Sequence, residues 1–201
     1  MSPRYIGIDV GGTRKGFHGC ALEGSAVVEG PLRLPTPEEV ATWAADQRPA
    51  VVAVDSPCTL APPEATSREG ELALNKEVCG IRWTPEHKRL EGNPYYEWII
   101  RGLELYSALQ DKVGAETKII EVFPTASWTV WVGERNSRSR AAWTNKALSS
   151  LGIEHLPSRR LNQDDRDAVA AAVTARQYDE GRTRDFKPIV VPTERSPWMK
   201  P

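Results

Sequence analysis

The sequence predicts an α/β domain built on a mixed sheet, three antiparallel strands followed by parallel ones, with helices on its faces. Three observations lead there. Tyr5–Val10, Gly16–Leu22 and Ala26–Leu34 are β-rich runs, and the Glu23-Gly24-Ser25 break between the second and third reads as a hairpin turn. A helix signal follows at Thr36-Pro37-Glu38-Glu39, with an N-cap residue, proline at the first helical position and two acids facing the helix dipole. Ala50–Val54 is then an uninterrupted apolar run, as expected of a strand buried on both faces.

Val40, Ala41, Trp43 and Ala44 keep helical spacing in the first helix. From Thr59 to about Gly114 the pattern is less regular, with prolines, a charged stretch at Ser67–Glu77 and a helix expected from about Pro94 to Lys112. This reads as a mostly helical insertion packing over one edge of the sheet. Lys118–Phe123 is strand-like and closed by Pro124, and a helix around Arg138–Leu151 stops at Gly152, an ordinary C-cap. The last helix runs from about Gln163 to Glu180, and its alanine-rich stretch Ala168–Ala175 suits close packing on a sheet. The expected organisation is one domain over residues 1–201, with the insertion at about 59–114 and an irregular C-terminal tail from about 183.

Composition excludes several classes. With 40% hydrophobic and 26% charged residues, the chain has no apolar run near the roughly 18 to 20 residues that a membrane span needs. The N-terminus enters a strand without the charged-then-apolar layout of a signal peptide. Cys20, Cys58 and Cys79 are scattered, with no CxxC and no histidine at zinc spacing, and fit reduced thiols in a cytoplasmic protein. A formal net charge of −1 argues against a dedicated nucleic-acid coat. Locally, Arg135, Arg138, Arg140 and Lys146, then Arg159, Arg160 and Arg166, could form a basic rim.

Four places set a carboxylate at the end of an apolar segment: Asp9 in YIGIDVGG, Asp55 in VVAVDSPC, Glu121 in IIEVFP, and Asp164, Asp165 and Asp167 at the opening of the last helix. Strand ends and helix starts of an α/β sheet gather at one edge, where ligands bind. Acids buried there are costly unless paired or bound to a cation, and Mg²⁺ favours oxygen donors. Asp164 and Asp167 are three apart and share a helix face, whereas Asp165 points elsewhere. Each acid also has a plain structural reading: a helix cap for Asp164, a turn former for Asp55, an arginine partner for Glu121.

GIDVGG after the first strand, VDSP at the end of the fourth and DDRDAVAAAVTA opening a late helix resemble the ribonuclease H-like superfamily. The D-x-x-D-A run is similar to its Holliday-junction resolvase branch. The GIRWTP-type insertion and the EVFPTASW segment resemble a family of predicted nucleases with a ribonuclease H-like fold. The resemblance covers most of residues 5 to 180 and implies a hydrolase that cleaves phosphodiester bonds with paired Mg²⁺ or Mn²⁺ ions. Carried over residue by residue, it puts Asp9, Asp55, Asp164 and Asp167 at the metal site, Asp9 bridging both ions. Glu121 matches a further family position and is counted with them among the expected metal ligands. The implied partner is a nucleic acid or nucleotide.

Asp-x-Gly-Gly-Thr is also the phosphate turn of sugar-kinase and actin-like ATPases. In that alternative, backbone N–H groups at Gly11, Gly12 and Thr13, with Lys15, would cradle a phosphate. Such enzymes need two facing domains, so a homodimer would have to complete the cleft. The commoner meaning of Gly-Gly is a tight turn. A third possibility is a non-catalytic interaction module that keeps the fold. His18, His87 and His155 lack ligand spacing, and Trp128, Trp131 and Trp143 read as core or interface residues lying near the basic cluster in sequence.

Overall fold

In the computed structural model, which describes residues 2–193, seven strands form one mixed sheet in the order β3-β2-β1-β4-β5-β7-β6. β1 (Arg4–Val10), β2 (Phe17–Glu23) and β3 (Ala26–Leu34) make the antiparallel half. β4 (Val51–Asp55) and β5 (Lys118–Val122) add to β1 in parallel, giving the mixed sheet that the sequence predicts. The β2–β3 turn falls at Gly24, whose φ of +59° is a backbone state glycine adopts without strain.

Strand periodicity sorts side chains between two cores. Tyr5, Val51, Ala53, Ile120 and Val122 face one layer, made of α4 (Pro124–Val132), α5 (Arg140–Ser150) and α6 (Gln163–Asp179). Ile6, Ile8, Val10, Val52 and Val54 face the other, made of α1 (Pro37–Asp46) and α3 (Glu97–Lys112). α6 lies against β1 at Gly7, where an added Cβ would sit 2.1 Å from both the Ala168 carbonyl oxygen and the Ala172 nitrogen. A glycine in the strand and alanines in the helix therefore let the two backbones approach closely, which brings the start of α6 to the end of β1.

α1 starts as expected, Thr36 Oγ1 accepting from the Glu39 N–H. The charged stretch of the insertion is a helix, α2 (Glu69–Glu77), held on the sheet edge through Leu74, Phe186, Ile189 and Val191. Pro124, expected only to close a strand, opens α4, where proline at a first helical position costs no hydrogen bond. The tail is a correction. Residues 183–192 form β6 (Thr183–Asp185) and β7 (Ile189–Pro192), because the apolar run Ile189-Val190-Val191 pairs with β5 and buries both faces. The rest of the expected tail, including Trp198-Met199-Lys200-Pro201, lies outside the described residues. No described helix is long and apolar enough to cross a membrane.

Candidate active site

Asp9 and Asp55 are parallel register partners at the C-terminal ends of β1 and β4. The two-residue period puts both on the α6 side of the sheet, in line with Gly7 and Ala53. Each keeps part of its surface open to a cleft of about 1160 Å³, also lined by Asp164, Asp167, Lys15 and Arg140. Burial raises the Asp9 carboxyl well above the usual carboxylate range, helped by the charges of Asp55, Asp167 and Asp164 and opposed by Lys15. Burial also raises Asp55, with Asp167 adding to it, while Arg140 and a hydrogen bond shared with Asp9 pull it back. Two carboxyl groups close enough to share a proton cannot both ionise freely.

The start of α6 supplies the other two acids. Its N-cap is Asn162, whose side chain accepts from the Asp165 N–H at 2.7 Å while Asp165 accepts from the Asn162 N–H at 3.0 Å. Asp165 is thus the capping partner, turned away to ion-pair with Arg159 at 2.6 Å and contact His18 at 2.9 Å. Asp164, freed from capping, takes Lys15 at 3.0 Å. Asp167 is buried and held from three sides: Trp128 Nε1 donates at 2.8 Å, Gln163 Nε2 at 3.0 Å and Arg140 Nη2 at 2.9 Å.

Glu121 goes elsewhere. It pairs in register with Val54, so the strand period points it to the opposite face from Asp9 and Asp55. Arg68 grips it with two hydrogen bonds of 2.6 and 2.8 Å, and the Cys58 N–H donates at 2.8 Å. Arg68 also holds Glu71, which accepts from the Thr84 N–H and hydroxyl. The arginine-partner reading of Glu121 is the one the structure adopts, and the network pins the insertion to the end of β5.

The Gly-Gly-Thr turn also has internal partners. The Gly11 N–H donates to the Gly16 carbonyl at 2.9 Å. The Thr13 N–H and hydroxyl both donate to Glu97 at the start of α3, which holds that carboxyl below its usual range. Lys15 is spent on Asp164. Of the phosphate cradle expected at Gly11, Gly12, Thr13 and Lys15, the Gly11 N–H, Thr13 and Lys15 thus have partners within the chain. No sequence signal links Thr13 to Glu97, 84 residues away.

Of the basic cluster, Arg135 and Arg140 line the cleft, while Arg159 and Arg166 are tied into the support of α6. Trp128, Trp131 and Trp143 are core residues, and Trp128 has the added task of orienting Asp167.

A hard divalent cation suits this donor set chemically, since Asp9, Asp55, Asp164 and Asp167 offer oxygens only and outnumber the two cations beside them. Among the described residues no three acidic, imidazole or thiol groups already stand as a metal-ligating set. As placed, Lys15 and Arg140 hold Asp164 and Asp167 in ion pairs. The donors fit the ion provided those two cations yield.

A family model described as "Protein of unknown function (DUF429)" matches residues 7–191. Among solved structures, one described as "Thermus thermophilus RuvC structure" is similar at 15% identity, with a TM-score of 0.49, over 89% of this chain and 96% of that one. No curated protein matches the chain.

Proposed function

The chain belongs to the DUF429 family, whose description assigns no activity, and from the site itself we propose a Mg²⁺- or Mn²⁺-dependent hydrolase of phosphodiester bonds in a nucleic acid. The observation that carries this reading is the Asp9–Asp55 pair, two acids in register on adjacent strand ends, both raised by burial and Asp9 further by the charge of Asp55, with Asp164 and Asp167 at the start of the neighbouring helix. Keeping such a cluster costs folding stability, and a cation that neutralises it offsets that cost. Asp9 and Asp55 would hold the ion, joined by Asp167 and Asp164.

Divalent ions in such a cleft polarise a phosphodiester and lower the pKa of water. The chain's own residues do the rest. Trp128 and Gln163 fix the Asp167 carboxylate, so that a packed core rather than a loop orients it. Lys15 and Arg140 supply positive charge at the mouth of an acidic cleft, which a polyanionic substrate requires. Three free cysteines fit a cytoplasmic setting. The nucleotide-phosphotransferase reading is weaker, because Glu97 and Gly16 already take the Thr13 and Gly11 N–H groups.

A panel of end-labelled single-stranded, duplex and branched DNA and RNA, incubated with Mn²⁺ or Mg²⁺, tests the reading. Cleavage by the native protein, lost in Asp9→Asn and Asp55→Asn, is the expected result. Cleavage that survives both substitutions would refute it.

A further inference from the structure

Arg140 is placed against the interests of its own helix. It is the first residue of α5, after the Ser139 cap, where the dipole disfavours a cation. Its side chain is 46% exposed to the cleft, whereas the carboxylate it meets, Asp167, is 3% exposed. Asp167 does not need it for orientation, because Trp128 and Gln163 hold that carboxylate from other sides. Arg140 and Asp55 line the same cleft. One half-exposed guanidinium thus offsets the buried carboxylate of Asp167 at the edge of the acidic cleft.

We propose that Arg140 has two positions: counter-ion of Asp167 when the cleft is empty of metal, and ligand of a substrate phosphate when a divalent cation replaces it. This rests on the metal-dependent reading above and gives the cleft a specific group for the phosphodiester. Guanidinium suits the second role, since its planar fork matches two phosphate oxygens and its charge never titrates. The exchange also orders events. Metal entry releases the arginine, and a phosphate without metal meets an arginine already engaged. Lys15, clasping Asp164 from the β1–β2 turn, is built alike but is more exposed, at 59% of its side chain.

The test uses the full chain with two probes, Mn²⁺ alone by calorimetry and a short labelled single-stranded oligodeoxynucleotide by fluorescence anisotropy. Arg140→Gln should bind Mn²⁺ severalfold more tightly than the native protein, because a competing cation is gone. With saturating Mn²⁺ the same variant should bind the oligonucleotide roughly tenfold or more weakly, the worth of one charge-assisted hydrogen bond. Without Mn²⁺ its oligonucleotide affinity should equal that of the native protein. Arg140→Lys, which keeps the charge and loses the fork, should restore native Mn²⁺ affinity but only part of the oligonucleotide affinity. Weaker Mn²⁺ binding by Arg140→Gln would overturn the proposal and make Arg140 a positioning residue for Asp167. Unchanged oligonucleotide affinity with Mn²⁺ present would overturn it as well. A native protein that binds no Mn²⁺ would overturn the metal-dependent reading first, and this proposal with it.

Discussion

Replacing Arg68 by methionine removes one cation from between two buried carboxylates. Arg68 is 5% exposed, Glu121 5% and Glu71 1%, and the guanidinium makes hydrogen bonds of 2.6 to 3.1 Å to both. After substitution Glu71 keeps the Thr84 donors and Glu121 keeps the Cys58 N–H, yet both charges stay buried without a counter-ion. Breaking a buried pair from one side costs about 3–5 kcal/mol. For a chain of 201 residues each kcal/mol moves Tm by about 2–4 °C, so the variant should melt roughly 6–20 °C lower. Thermal unfolding by circular dichroism reads this directly, and Arg68→Met/Glu121→Gln should recover part of the loss, since a neutral amide is cheaper to bury. A fall of less than about 4 °C, near 1 kcal/mol at this size, would mean that Arg68 does not compensate the two buried charges. The network would then contribute no more than a surface ion pair.

Other substitutions separate site from scaffold. Asp9→Asn should raise Tm at neutral and alkaline pH but not near pH 4. The folded carboxyl holds its proton above the unfolded value of about 3.9, so its contribution is favourable below that value and lost as pH rises through the raised folded one. An equal Tm change at both pH values would contradict that sign. Asp165→Asn should destabilise the fold, through its cap and the Arg159 and His18 contacts, and leave Mn²⁺ affinity unchanged. Asp164→Asn should do the reverse. Gly7→Ala should destabilise by about 3 kcal/mol or more by overpacking, read by urea unfolding, because its Cβ would meet the α6 backbone at 2.1 Å.

Much of this architecture was legible because period and punctuation speak locally. The hairpin at Gly24, the Thr36-Pro37 helix start and the all-apolar β4 each carry their own signal, and the acid-ended strands marked one edge of the sheet. What escaped was set by register or by distant partners. Glu121 resembled Asp55 in sequence, both acids closing apolar strands, but which face each meets depends on strand pairing, and Glu121 falls beside Val54 rather than Asp55. The β6–β7 hairpin was hidden because Ile189-Val190-Val191 is short and flanked by prolines. Arg68 gave no sign of its role beyond a glutamate three residues on, its other partner being 53 residues away. Asp164 and Asp165 were separable only by helix phase, which Asn162 decides by capping one of them.

On the reading proposed above, Asp9 and Asp55 form the floor of a divalent-cation site. Mn²⁺ soaked into crystals and located by its anomalous scattering tests it most directly. A peak should appear within coordination distance, about 2.1 Å, of a carboxylate oxygen of both Asp9 and Asp55, with Arg140 drawn off Asp167. A crystal saturated with Mn²⁺ that shows no peak at these two residues, with Arg140 still on Asp167, would contradict it.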